Sequence, residues 1–501
     1  SPCRGAISTM AGTAASSRRC CSWQQRLTVV VLVLICGPAA STRSHDRSCV
    51  KPHVPAAQMD WRAPRMRDAR EAALVVRGGS NMEAIDFVFS DRATIPGFLG
   101  VDCQAELLAH VQAMGADKIL LVTEDNVDQH HGGYWQPLID SPNAPPIEKI
   151  VLPAGDEAKS WEHLHQLVRW NFDVGATKKS VVVAFGGGAL LNVAHLFASI
   201  TYRGMKLVSV PTTFLAMHDV VTSLKTSICF DGRKNNVGTF YAAQKILVDV
   251  GFCRTLPKAE LFSGLGELAK NACLFGADHA EGFVRALSKP ASGGAAEDFT
   301  MDIGTLLELT RLGIKAKMQV LAVDAYEKQF GMIFEYGHTV SHAIEKAYGD
   351  GIIPHGLGVV YGMLSCSYVA EKLGIMSSSE RAQHDEVCNL LLSKWPLPSP
   401  RPSAELVYQL AMKDSKRGIA GEEPHQISDV LLTKMGDFVP TPTSNLLAFD
   451  GQLLREWLAT FFPVTAELRA ESSAEQSATT IPTPMTEPAP PAPQPSPLPL
   501  A

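Results

Sequence analysis

Two stretches of this chain hold residues whose types and spacing suit a metal ion. Phe334-Glu335-Tyr336-Gly337-His338-Thr339-Val340-Ser341-His342 places His338 and His342 four residues apart, on one face of a helix. Soon after, Pro354-His355-Gly356 holds a third histidine in a Pro/Gly turn. Two histidines with one carboxylate are a usual catalytic zinc set, the fourth position being left to substrate. A plainer reading stays open, because histidines of a core or a surface explain most such pairs. In Gly264-Leu-Gly-Glu267-Leu-Ala-Lys270, Glu267 and Lys270 share a helix face three residues apart, and taken alone they read as an ordinary intrahelical ion pair.

Other stretches suit an anion. Phe185-Gly186-Gly187-Gly188 directly follows an apolar run, and glycines there let backbone N–H groups and a helix N-terminus approach a phosphate. Pro211-Thr212-Thr213 follows the next apolar run and offers hydroxyls. Leu224-Lys225-Thr226 and Arg233-Lys234-Asn235-Asn236 put cations and amides in one segment, which suits a substrate phosphate, although a solvated loop looks the same.

The elements that must position these residues fall into two kinds. Lys118–Thr123, Ser180–Phe185 and Lys206–Val210 are short continuous apolar runs, as in strands buried on both faces, and helical patterns such as Glu162–Trp170 lie between them. That alternation predicts a parallel α/β sheet. After about residue 258 the strand signals fade, and Leu306–Val320 and Gly358–Leu373 read as helices. The expected order is an α/β nucleotide-binding domain over 83–258 and a mainly helical metal- and substrate-binding domain over 259–460.

The flanks are of another character. Arg18, Arg19 and Arg26 precede the apolar run Leu27–Cys36, and small residues follow, the pattern of a secretory signal peptide. With the basic stretch after it, residues 1–82 read as a presequence and linker. This predicts import into a plastid led by that signal, with the cytoplasm as the alternative, and no lasting membrane association after processing. Residues 465–501 are a Pro-rich tail unable to bury enough apolar surface to fold. Of the 501 residues, 46% are hydrophobic and 19% charged, ordinary for a globular protein, and the net charge of −6 argues against a nucleic-acid partner. Eleven cysteines include no CxxC pair; the six beyond residue 50 read as reduced, mostly buried thiols, not a disulfide framework or zinc knuckle.

Together these segments resemble the dehydroquinate synthase family of sugar phosphate cyclases. The shared stretches, in order, are GGG-x-x-x-N, YRG, PTTFLA, D-x-x-x-x-x-K, KN-x-x-G-x-F, TLP-x-x-E, G-x-x-E-x-x-K, GHT-x-x-H-x-x-E and HG, from about 83 to 440. The resemblance implies a Rossmann-like NAD-binding domain, a helical metal-binding domain, NAD, one divalent ion (zinc or cobalt) and a homodimer. It implies Glu267, His338 and His355 as metal ligands. His342, Lys225, Asn235 and Lys416 match phosphate- and substrate-binding positions, and Lys270 and Lys317 match active-site lysines. Arg203 of the YRG stretch matches an arginine contributed across a dimer interface. Glu124, Asn126, Asp156, Lys159, Gly187, Gly188, Asn192, Thr212, Thr213, Asp219, Lys234, Thr255, Leu256 and Glu260 match cofactor positions.

Two departures bear on the substrate. Dehydroquinate-forming members carry an Arg seven residues before the metal His and an Asn three before it, where this chain has Gly331 and Glu335. Without that arginine a substrate carboxylate loses its bidentate partner, and Glu335 would repel it, whereas a neutral hydroxylated sugar gains an acceptor. The stretch Gly331–Thr339, with Asn192, Ser223–Lys225 and Lys416–Gly418, resembles the 2-deoxy-scyllo-inosose synthase branch, which cyclises glucose 6-phosphate. The implied reaction oxidises C4 with NAD, eliminates phosphate, returns the hydride and closes a carbocycle by aldol addition. Catalysis is then carried by Lys225, Lys270, Lys317, Glu335 and His342. The alternatives are dehydroquinate synthase itself, a sedoheptulose 7-phosphate cyclase, an iron-dependent alcohol dehydrogenase, and a non-catalytic homologue that keeps only NAD binding. The chain also departs from the family at Ala189-Leu-Leu191, His195, His218 and Leu357.

Overall fold

The computed structural model of the chain describes residues 82–90, 94–288, 301–349, 351–441 and 444–462. The presequence and the Pro-rich tail expected from the sequence lie outside the described residues, apart from Met82.

The apolar runs form strands as expected. Ile119–Glu124 (β3) and Val181–Gly186 (β5) are buried along their whole length. They pair in parallel with Ile119 opposite Val181, and Lys206–Pro211 (β6) continues the ladder beside β5. With Met82–Phe87 (β1), Ile95–Gly100 (β2), Ile147–Leu152 (β4) and Lys245–Asp249 (β9) they make a seven-stranded sheet of order β1-β2-β9-β6-β5-β3-β4. One correction is needed to the wholly parallel sheet: β1 and β2 are antiparallel. The link between them is too short for the dozen or more residues of a parallel crossover. From β3 the chain steps outward to β4 and returns past β3 to β5, so the winding reverses between β3 and β5. In open parallel sheets, ligands bind at the carboxyl ends of the strands beside such a reversal.

The segment read as a cationic loop is a separate hairpin of Lys225–Phe230 (β7) and Arg233–Phe240 (β8). Asp231 and Gly232, at φ 53° and 67°, are the two residues of its turn. An Asp-Gly pair with positive φ at both positions is a strong hairpin former.

After β9 the elements are almost all helical. Lys258–Phe275 (α5, counting Gln104–Gln112, Asp125–His131, Trp161–Asp173 and Gly188–Ile200 as α1 to α4) is buried over nearly its whole length. Ala277–Leu287 (α6), Ile303–Leu321 (α7), His338–Tyr348 (α8), His355–Lys372 (α9), Ser378–Leu392 (α10), Ala404–Ala411 (α11) and Gly451–Phe461 (α12) follow. Two glycine contacts set the crossings that matter. A Cβ on Gly266 of α5 would lie 2.1 Å from the Gly356 carbonyl oxygen of α9. A Cβ on Gly362 of α9 would overlap the carbonyl of Gly337, which caps α8 at φ 77°. Each pair adjoins a metal-binding candidate, since Gly266 precedes Glu267, Gly356 follows His355 and Gly337 precedes His338. None of the described helices is long and apolar enough to cross a membrane.

Candidate active site

The crossings bring three distant residues to one point. The ligand atoms of Glu267, His338 and His355 all lie within 4.8 Å of one another. Glu267 Oε1 is 3.3 Å from Nε2 of both histidines and has no hydrogen-bond partner, although it is buried. Nδ1 of His338 lies 3.2 Å from the Tyr336 carbonyl oxygen, and Nδ1 of His355 lies 2.8 Å from Glu345 Oε1. Those acceptors keep the proton on Nδ1 and turn the Nε2 lone pair inward, the arrangement that orients metal-binding imidazoles. Three acceptors facing one another ask for a cation between them. Burial, with Lys270 nearby, pushes the His338 imidazole down. Burial opposes charge on His355 too, but Glu267 and Glu345 outweigh it and push that imidazole up to about 10, so without an ion a proton on His355 supplies the positive charge that the set asks for. The set therefore fits a divalent ion with one open coordination position.

The expected lysines surround this point, each already beside an acid. Lys270 Nζ is 2.5 Å from Glu267 Oε2 and donates to the Phe334 carbonyl at 2.8 Å. Lys317 Nζ is 2.7 Å from Asp219 Oδ1 and 3.7 Å above the centroid of the Phe334 ring. Burial opposes the charge on Lys317, and Asp219, Glu327 and Glu267 overcome it, so its pKa is raised. Lys416 Nζ lies 2.7 Å from Asp414 Oδ1 and 3.4 Å from Glu335 Oε2. Against the burial that would raise it, Lys416, His338, Lys225 and His342 hold the Glu335 carboxyl down at about 2. His342 sits one turn beyond His338 and pairs with Asp414 at 3.0 Å, so it faces the Lys416 side and not the metal point.

Sequence reasoning missed three members of this site. Glu345 orients His355, Asp414 links His342 to Lys416, and Glu327 holds Lys225 at 2.8 Å and the Ser223 hydroxyl at 2.9 Å. The signal for Glu345 was present, since it ends the GHT-x-x-H-x-x-E stretch. Glu327 carries no local signal. It is 9% exposed at φ 50°, and a Cβ on Gly331 would lie 2.8 Å from its Cβ. Gly331 thus leaves room for an acid beside Lys225.

The cofactor candidates lie along the carboxyl edge of the sheet. Glu124 ends β3, Gly186–Gly188 lead from β5 into α4, Thr212 and Thr213 follow β6, and Thr255 and Leu256 follow β9. The buried Thr212 hydroxyl has no partner in this crevice, and the glycine turn stands where the winding reverses, so the residues fit a nucleotide. Glu124 is itself buried and accepts the Gly187 N–H at 2.8 Å; burial pushes its carboxyl up to about 7. Burial, with Asp156, raises the Glu260 carboxyl and His355 opposes the shift, so Glu260 is within electrostatic reach of both the crevice and the metal point.

Other candidates meet one another away from that point. Asn235 Oδ1 accepts from Lys159 Nζ and from the Ser227 hydroxyl, which also bonds Asn192. Lys234 is 3.0 Å from Asp156. The hairpin therefore places Asn235 on the cofactor side. Asn126 is exposed at the start of α2, and Arg203 is exposed after α4 and makes no ion pair among the described residues. Of the departures, His195 bonds Ser209 at 2.7 Å inside the core, while Leu191 and Leu357 are core residues.

Residues 149–263 match the 3-dehydroquinate synthase N-terminal family and residues 264–417 the 3-dehydroquinate synthase C-terminal family. A 2-deoxy-scyllo-inosose synthase of Streptomyces fradiae is 34% identical over 365 residues, 73% of this chain and 82% of that protein. One of Niallia circulans is 31% identical over 293 residues, 58% of this chain and 76% of that one. A crystal structure of 2-deoxy-scyllo-inosose synthase with carbaglucose-6-phosphate, NAD+ and Co2+ superposes with a TM-score of 0.65 at 24% identity, covering 75% of this chain and 99% of that one. A 2-epi-5-epi-valiolone synthase of Streptomyces hygroscopicus with NAD+ and Zn2+ gives 0.61 at 23% identity, covering 74% of this chain and 97% of that one. Fold, site and relatives thus define a two-part α/β and helical cyclase architecture. The chain belongs to the dehydroquinate synthase family.

Proposed function

We propose that the chain is an NAD- and metal-dependent cyclase that eliminates phosphate from glucose 6-phosphate and closes a carbocycle, as a 2-deoxy-scyllo-inosose synthase does. The observation that carries the substrate is the pairing of both substrate-side lysines with acids, Lys225 with Glu327 and Lys416 with Glu335. The keto acid phosphate would bring a carboxylate beside Glu327 and Glu335 in addition to the phosphate that both substrates carry, whereas the uncharged hydroxyls of the glucose moiety find acceptors there. The relatives named above support the same reading. When bound, the ion polarises a sugar hydroxyl and NAD takes and returns the hydride.

In this reading Glu267, His338 and His355 hold the ion. Glu335, ionised at neutral pH, accepts a sugar hydroxyl and fixes its orientation. His342, Lys416 and Lys225 face the phosphate, and Asp414 keeps His342 turned toward it. Lys317, on the Phe334 ring, holds Asp219 between substrate and cofactor. Lys270 steadies Glu267. The crevice from Glu124 to Thr255 takes the dinucleotide, with Asp156, Lys159, Asn192 and Lys234 closing it from the hairpin side. The functional unit is a homodimer to which Arg203 adds a partner contact, and the first forty or so residues are an import signal removed from the mature protein.

The test is phosphate release by the purified chain with NAD and Co2+ or Zn2+, comparing glucose 6-phosphate with the seven-carbon keto acid phosphate of dehydroquinate synthesis. Turnover of glucose 6-phosphate alone is expected. Preference for the keto acid would make the chain a dehydroquinate synthase with an unusual anion site.

A further inference from the structure

A second group of side chains able to ligate a metal lies at the hydroxyl end of Tyr336, whose carbonyl oxygen faces His338. Cys273 near the end of α5 and His384 and Cys388 on α10 have ligand atoms within 4.8 Å of one another, and all three side chains are fully buried. No two of the three look related along the chain except His384 and Cys388, which share one face of α10 at a spacing of four. His384 Nδ1 is held at 2.8 Å by Asp385 Oδ1, which also accepts from the Ser367 hydroxyl at 2.7 Å. A carboxylate on the outer nitrogen of an imidazole fixes its tautomer and directs the other nitrogen at a ligand. That nitrogen, Nε2, has the Tyr336 hydroxyl 2.9 Å away as a neighbouring oxygen.

We propose that Cys273, His384 and Cys388 form a structural site for a zinc-type d10 cation, separate from the catalytic metal. Two sulfurs and one imidazole select a borderline or soft ion over magnesium or calcium. Two thiolates and a neutral imidazole cancel a divalent charge, so the filled site is neutral and can be fully buried. Tyr336 Oη, 2.9 Å from His384 Nε2, would offer an oxygen as the fourth donor. The ion would pin α5, which carries Glu267, to α10. Through Tyr336, whose carbonyl accepts from His338 Nδ1, it would also steady the segment that presents His338.

The test uses the full chain expressed in cobalt-supplemented medium. Glu267, His338 and His355 contain no sulfur, so a thiolate-to-cobalt charge-transfer band in the near ultraviolet reports cysteine ligation, and its loss on substitution of Cys273 or Cys388 assigns it to this cluster. The expected result is that band, with two metal equivalents per chain by elemental analysis. Cys388→Ser should abolish the band and lower the content to one equivalent while NAD binding persists. A cobalt-loaded protein without the band overturns the proposal, as does a Cys273–Cys388 disulfide found by mass spectrometry of unreduced protein. Cys273→Ser is a second variant with the same expected loss, and Cys20→Ser with Cys21→Ser should leave the band in place, so the test does not rest on the folding of one variant. It is also independent of whether the chain cyclises any sugar.

Discussion

The cofactor crevice and the metal cluster are built in opposite ways. Along the carboxyl edge of the sheet, ligand-facing groups come from the turns that follow β3, β5, β6 and β9, so the order of strands alone aligns them. At the metal point, Glu267, His338 and His355 come from three helices, and the close approaches of Gly266 to Gly356 and of Gly337 to Gly362 set the crossings that bring them together. The first arrangement should tolerate the loss of a side chain, because its candidate groups are spread over four turns along one sheet edge. The second should fail abruptly, because each ligand is a third of the site.

The largest effect should come from the ligands themselves. His338→Ala and His355→Ala are expected to lose bound metal and activity together, as three protein ligands are the minimum for a site with an open position. Full metal content by elemental analysis in both variants would break the contrast. Next is Gly266→Ala, whose new Cβ would lie 2.1 Å from a backbone oxygen that cannot swing aside. Overpacking of this kind costs roughly 1–3 kcal/mol. Metal affinity, measured by competition with a chelator, should fall more than NAD affinity; equal losses would mean that the crossing does not set the ligands. Glu345→Gln removes the charge behind His355 and should reduce metal affinity by roughly 10–100-fold while leaving NAD affinity in place.

Substrate preference sharpens the comparison further. Gly331→Arg with Glu335→Asn is expected to shift the ratio of turnover efficiencies toward the keto acid, by about tenfold for each 1.4 kcal/mol regained. Because a Cβ at Gly331 meets Glu327, the shift should be larger when Glu327→Ala is added. No change in the ratio would remove these acids from substrate selection.

The smallest effect belongs to the crevice. Burial raises the Glu124 carboxyl from its ordinary 4.5 to about 7 in the folded protein. A raised folded pKa means that the folded state holds the proton more tightly than the unfolded state. Its contribution to stability is therefore complete below about 4.5 and is lost as pH rises through about 7. Glu124→Gln can still accept the Gly187 N–H and should remove this loss, on the order of 1–3 kcal/mol. The variant's melting temperature should stay flatter than that of the parent between pH 5 and pH 8. Parallel curves would show that Glu124 does not titrate in that interval.

Sequence alone determined what local chemistry determines here. Continuous apolar runs placed β3, β5 and β6, periodicity placed α3, α7 and α9, and motif order carried the family and the candidates at Glu267, His338 and His355. Asp231-Gly232 announced the β7–β8 hairpin as well, although its cations drew the reading toward a loop. What only the tertiary structure decided are the meetings between residues far apart in the chain. Glu327 reaches Lys225 across 102 positions, and Asp414 reaches His342 across 72. Cys273 and Cys388, read as unrelated buried thiols, meet His384 in one cluster. The physical reason is common to all three. A strand or helix is specified by neighbours within a turn or two, whereas a buried charge or thiol is specified by whatever the packing of other elements places against it.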